Sequence, residues 1–123
     1  MHTIKPIDSN TVLKTTDKAK LFGWIVSINS GGNLNPHIHK EGWLSGTLYL
    51  NVPKVSGSDE GNIAFSLHGA NYPTEGKQFP PEKVVDVDRG GIVLFPSSLF
   101  HYTIPFNSSH ERVSLAFDLI PNN

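Results

Sequence analysis

The chain contains no cysteine, which excludes disulfide staples, thiolate metal sites and thiol nucleophiles together. Charge is sparse as well: Asp, Glu, Lys and Arg make up 17% of the residues and the formal net charge is −1. With no basic face, nucleic acid and anionic membranes have no electrostatic footing as partners. No apolar run approaches the ~20 residues that span a bilayer. Residues 1–10 are polar and lack the apolar stretch of a secretory signal. The expectation is a soluble, cytoplasmic protein, and Asn107-Ser108-Ser109 then reads as a chance match to a glycosylation acceptor. The Gly-rich phosphate loop, the Gly-x-Ser-x-Gly elbow and the His-Glu-x-x-His helix are all missing. Glycine and proline are scattered rather than clustered, so no linker stands out, and there is no internal repeat.

What is present is a chain of 123 residues, long enough for one domain with its own core, taken as residues 1–123. Its apolar runs are short and rich in Val, Ile, Leu, Phe and Tyr. They fall at residues 21–28, 44–52, 62–67, 84–87, 91–95, 102–104 and 112–120. Turn signals such as Asn29-Ser30-Gly31-Gly32-Asn33 and Asp88-Arg89-Gly90-Gly91 separate them. This spacing suggests an all-β sandwich or barrel. Residues 11–20 fit either a helical turn or an edge strand.

Side chains alternate between the faces of a strand. Over residues 112–119, one face carries Val113, Leu115, Phe117 and Leu119, and the other Arg112, Ser114, Ala116 and Asp118. Over residues 44–50, Leu44, Gly46, Leu48 and Leu50 oppose Ser45, Thr47 and Tyr49. The plainer reading turns the aliphatic faces inward. The sharper one makes the polar faces the wall of a ligand cavity in a small barrel. The strands alone do not choose.

Histidines lie at positions 2, 37, 39, 68, 101 and 110. In an extended segment His37 and His39 share a face, so two imidazoles can grip one metal. His101, ending the run Leu94-Phe95-Pro96-Ser97-Ser98-Leu99-Phe100, is the natural third ligand, brought in from a distant strand. Imidazoles suit Fe, Zn, Cu or Ni. For each residue taken alone, a turn or core histidine is the better reading; the combination carries the argument. His2 reads as a frayed terminus. His68 and His110 fall in loops, although His68 could face the cavity.

Four segments, in order, resemble one known family. They are Asn35-Pro36-His37-Ile38-His39, Trp43-Leu44-Ser45-Gly46-Thr47-Leu48-Tyr49-Leu50, the Phe95-Pro96-Ser97 run ending at His101, and Glu111-Arg112-Val113-Ser114-Leu115-Ala116-Phe117. The family is the small 2-oxoglutarate-Fe(II) oxygenases, and the resemblance runs from about Phe22 to about Leu119. It implies a double-stranded β-helix, a cupin-like jelly-roll barrel. It implies a dioxygenase that uses Fe(II) and 2-oxoglutarate, releasing succinate and CO2 as it hydroxylates a substrate. It matches His37 and His101 to the first and distal histidines of the metal triad, and His39 falls at the middle position. It assigns the far carboxylate of 2-oxoglutarate to Arg112 and Ser114, with Tyr49 on the neighbouring strand. A buried planar guanidinium is the natural bidentate partner for that carboxylate.

One departure stands out. The usual facial triad is two histidines and a carboxylate, whereas here the middle position is His39. A neutral ligand leaves the metal more positive by one unit. Glu41, two residues on, is a poor replacement across the intervening turn.

Two other readings compete. One is a cupin-type three-histidine metalloenzyme that does not use 2-oxoglutarate. The glutamate such a protein carries after its second histidine is replaced here by Trp43 and Leu44, and Arg112 would be left unexplained. The other is a non-catalytic jelly-roll binding module, which solvent-exposed Trp24 or Trp43 would favour. Fold and metal triad do not fix the substrate; a small molecule or a protein side chain is expected. His68-Gly69-Ala70-Asn71-Tyr72-Pro73 and residues 76–81 are expected as rim segments, and exposed edge strands allow a homodimer.

Overall fold

The computed structural model describes residues 2–6, 12–15, 18–32, 36–54, 57–67 and 83–122. The two expected rim segments, with His68, lie outside these residues. Every regular element among the described residues is a strand: β1 (His2–Pro6), β2 (Val12–Thr15), β3 (Ala19–Ile28), β4 (Leu44–Asn51), β5 (Ile63–Ser66), β6 (Lys83–Val85), β7 (Ile92–Pro96), β8 (Phe100–Thr103) and β9 (Arg112–Pro121).

All pairings are antiparallel. They build a six-stranded sheet in the order β1-β3-β9-β4-β7, in which β2 also pairs with β3, and a three-stranded sheet in the order β6-β5-β8. β1 and β2 lie in tandem along one edge of β3, covering Trp24 to Ile28 and Lys20 to Phe22 respectively. Residues 11–20 thus include an edge strand rather than a helical turn. His2, expected to fray, pairs with Ile28.

The two sheets face each other across a shared core. Tyr49 of β4 and Phe95 of β7 pack with Ile63 and Phe65 of β5 and with Val87. A second cluster joins Val26 and Ile28 of β3 to Phe106. The expected double-stranded β-helix is what forms.

Register explains where the polar residues go. β9 is paired along both edges, with Ser114 opposite Val26 and Tyr49, and Asp118 opposite Phe22 and Ser45. The buried residues of β9 are Arg112, Ser114 and Asp118; on β4, Ser45 and Tyr49 are buried. The polar faces therefore turn inward, against the plainer expectation. The aliphatic faces turn outward, leaving Leu44 and Leu50 of β4 and Ile92 and Leu94 of β7 exposed. On β4 and β9, where polar groups turn toward the interior, the usual apolar-in pattern of antiparallel strands is reversed. Gly46 serves this outer face. A Cβ there would meet the Phe117 ring at 2.3 and 2.6 Å and Leu94 at 2.8 Å, so only glycine lets that ring lie across the strand.

Candidate functional site

The segment carrying His37 and His39 follows β3 and is held by backbone pairing rather than by a helix or strand of its own. The His37 N–H donates to the His101 carbonyl at 3.2 Å and the His101 N–H to the His37 carbonyl at 3.0 Å. The His39 N–H donates to the Ser97 carbonyl at 2.9 Å. An irregular segment is thereby fixed against β8 and against the turn that precedes it.

This brings three rings together. The centroids of His37 and His39 are 5.4 Å apart with the rings stacked, as the i, i+2 spacing anticipates. His101 stands 4.2 Å from His37 and 5.0 Å from His39. One nitrogen from each ring lies within 4.8 Å of the others, the only metal-binding constellation of this kind among the described residues. His110 is exposed and stands apart, and Glu41 is exposed and not in the cluster.

The state of His101 suits metal binding, which needs neutral imidazole. The Nδ1 of His101 faces the Leu99 carbonyl at 3.2 Å. A carbonyl only accepts, so Nδ1 carries the hydrogen and Nε2 keeps its lone pair. Burial, with a smaller push from His37, lowers the His101 pKa to about 4 against a weak opposing pull from the Leu99 carbonyl. On His39, Nδ1 faces Asp118 Oδ1 at 2.6 Å.

The same three histidines line a cavity of about 470 Å³ together with Arg112, Tyr49 and Ser114. Arg112 is only 3% exposed. Its Nε donates to the Gly61 carbonyl at 2.8 Å, and its guanidinium carbon sits 5.0 Å from the centre of the Tyr49 ring. Gly61 can present that carbonyl because its φ of +79 suits the turn before β5. No carboxylate pairs with Arg112 among the described residues. Burial lowers the Arg112 pKa, partly offset by Tyr49. The Tyr49 hydroxyl is buried without a hydrogen bond of ordinary geometry, although Arg112 and Thr47 stand near it; burial raises its pKa, and the charge and nearby donors of Arg112 oppose this in part. A buried cation without a counter-ion and an orphaned hydroxyl beside it are costly. Both suit an anionic ligand bearing a carboxylate.

The structure also adds residues that the sequence reading passed over. Trp24 lines the cavity beside His39, with ring centroids 5.6 Å apart. Ser45, Ser97 and Asp118 form a buried cluster behind His39. Asp118 stood on the polar face of its strand, in phase with Arg112 and Ser114, and that phase was the available signal. Of the two tryptophans, Trp43 is exposed.

Residues 23–118 match a family model described as "Putative 2OG-Fe(II) oxygenase". No curated protein matches the chain. Solved structures do. A prolyl-4-hydroxylase from Pseudomonas putida matches at 20% identity and a TM-score of 0.63, covering 85% of this chain and 53% of that one. HygX from Streptomyces hygroscopicus, with nickel and 2-oxoglutarate bound, matches at 17% identity and a TM-score of 0.63, over 85% and 56% of the two chains. An RmlC-like cupin protein from Desulfovibrio desulfuricans matches at 13% identity and a TM-score of 0.54, over 97% and 81%. At these identities the likeness is one of fold. The chain spans about half the length of the prolyl-4-hydroxylase and of HygX.

Proposed function

The chain belongs to the 2OG-Fe(II) oxygenase family, and from that premise we propose that it is a 2-oxoglutarate-dependent, non-haem iron dioxygenase that hydroxylates a substrate held in the 470 Å³ cavity. The observation that carries this reading is a coincidence in one cavity. Three imidazoles with nitrogens within 4.8 Å share it with a guanidinium that is 3% exposed and has no carboxylate partner among the described residues.

In this reading His37, His39 and His101 hold the iron, and Arg112, Ser114 and Tyr49 hold the far carboxylate of 2-oxoglutarate. Iron with 2-oxoglutarate supplies the oxidative step, in which one oxygen atom of O2 enters succinate with loss of CO2 and the other enters the substrate. The chain's own work is placement. Arg112 fixes the co-substrate by charge and by its planar fork. Tyr49 gains the partner its hydroxyl lacks. Trp24 walls the cavity beside His39, and the surrounding Val26, Ile63 and Phe95 keep bulk water from the reacting atoms. The substrate is a small molecule or a protein side chain.

An all-histidine ligand set also suits a cupin-type metalloenzyme that does not use 2-oxoglutarate. Anaerobic titration with Fe(II) and then 2-oxoglutarate separates the two. The dioxygenase gives a visible metal-to-ligand charge-transfer band, lost in His101→Ala and weakened in Arg112→Ala. Metal binding without the band favours the cupin-type reading; no metal binding favours a binding module.

A further inference from the structure

His39 brings no charge to the place where this kind of site usually has a carboxylate. Behind its ring, a carboxylate is nonetheless present. Asp118 is 7% exposed, and its Oδ1 lies 2.6 Å from His39 Nδ1 and 2.6 Å from Ser45 Oγ. Ser45 Oγ in turn lies 2.8 Å from Ser97 Oγ. Both serines are 0% exposed, so their hydroxyl hydrogens must be satisfied within the protein.

The hydrogens can be placed from these contacts. A carboxylate only accepts. Ser45 therefore donates its single hydrogen to Asp118, and Ser97 must donate to Ser45. The Nδ1 of His39 must also donate, because a lone pair at 2.6 Å from a carboxylate oxygen would be repelled. Every hydrogen of the cluster runs toward Asp118, and a neutral His39 ring in this arrangement keeps its lone pair on Nε2. Space for this arrangement is set by Gly42, where a Cβ would come within 2.5 Å of Ser97 Oγ.

We propose that Asp118 is the positioning and charge-compensating residue of the three-histidine site. Through Nδ1–H it locks the His39 tautomer that can bind metal, and it supplies from behind the ring the negative charge that the ring itself lacks. The carboxylate would then stand behind a metal-binding ring rather than on the metal itself. A histidine backed by a carboxylate is a stronger donor than one left to solvent, and loss of such a partner typically weakens metal binding by about 10–100-fold. The inference rests on the reading that the cluster holds a metal, but not on the use of 2-oxoglutarate.

The test uses the full chain, with Asp118→Asn and Ser45→Ala. In metal-free wild type, ¹⁵N NMR of the His39 ring is expected to show the proton on Nδ1 and none on Nε2. Chelator competition is expected to show Co(II) binding weakened by about 10–100-fold in Asp118→Asn, which keeps shape but loses charge, and by only a few-fold in Ser45→Ala. A neutral wild-type His39 ring with its proton on Nε2 and none on Nδ1, or a Co(II) affinity unchanged in Asp118→Asn, overturns the inference. If Asp118→Asn does not fold, the wild-type tautomer decides it. Co(II) binding that depends on Asp118 in a protein that never gives the 2-oxoglutarate band supports the inference and rejects the proposed function; no metal binding at all rejects both.

Discussion

His37 and His101, 64 residues apart in the chain, are backbone partners in an isolated antiparallel bridge. Each donates its N–H to the other's carbonyl. Residues directly opposite in such a pair hold their side chains on the same face at a fixed separation. The distance between two of the three imidazoles is therefore set by main-chain bonds, before any metal arrives. A site prepared in this way gives up little conformational freedom on binding.

Preparation has a cost that pH reveals. His101 titrates near 6.5 in an unfolded chain and at about 4 in the folded, metal-free protein. Above pH 6.5 it is neutral in both states. Between 6.5 and 4 only the unfolded chain takes the proton, so stability is lost as the pH is lowered, by up to about 3 kcal/mol from this residue. Below 4 both states are protonated and the loss stops. Urea unfolding of metal-free wild type and His101→Gln across this range should show the wild type losing more; parallel curves would contradict the assignment.

Arg112→Lys keeps a positive charge but loses the planar fork and the Nε bond to Gly61. Affinity for 2-oxoglutarate is expected to fall by about 10–100-fold, the worth of one charged hydrogen-bond pair. Iron binding should be unchanged. Calorimetric titration of the Co(II)-loaded variant with 2-oxoglutarate checks both statements.

Tyr49→Phe should act with opposite signs on stability and binding. It removes a buried hydroxyl that has no partner, so the metal-free protein should be as stable as wild type or more stable by up to about 1 kcal/mol. The same change should weaken 2-oxoglutarate binding roughly 5-fold, the worth of a neutral hydrogen bond. A variant destabilised without ligand would mean that the hydroxyl is already bonded.

Gly46→Ala drives a methyl group into the Phe117 ring and Leu94. Overpacking of this kind costs about 1–3 kcal/mol, a fall in melting temperature of roughly 4–12 °C by calorimetry. An unchanged melting temperature would show that Phe117 can swing aside freely.

The strands from β3 to β9 could be read from apolar runs and turn residues because each run is short and bounded. β1 could not. His2-Thr3-Ile4-Lys5-Pro6 is mostly polar, and it is a strand only because β3 offers it an edge. The three histidines were legible as a set, since i, i+2 spacing and a distant third ligand need only extended backbone. Asp118 was not. Its partner His39 is 79 residues away, and nothing local says that β9 and the histidine segment meet. Likewise, alternation divided β9 into two faces but not into inside and outside, because the strand turns its polar groups inward and so inverts the rule that usually decides the matter.

That inversion gives β9 a parity. Its even positions from 112 to 118 hold the groups proposed to grip the co-substrate and to back His39; its odd positions face out. Both neighbours are paired in fixed register, and a one-residue slip of the whole strand against them would exchange the two sets wholesale. Single substitutions at Val113, Leu115 or Leu119 can drift among apolar residues without reaching the site. A one-residue slip of the whole strand would take Arg112 and Asp118 out of the interior together and turn Val113, Leu115, Phe117 and Leu119 inward in place of Arg112, Ser114, Ala116 and Asp118.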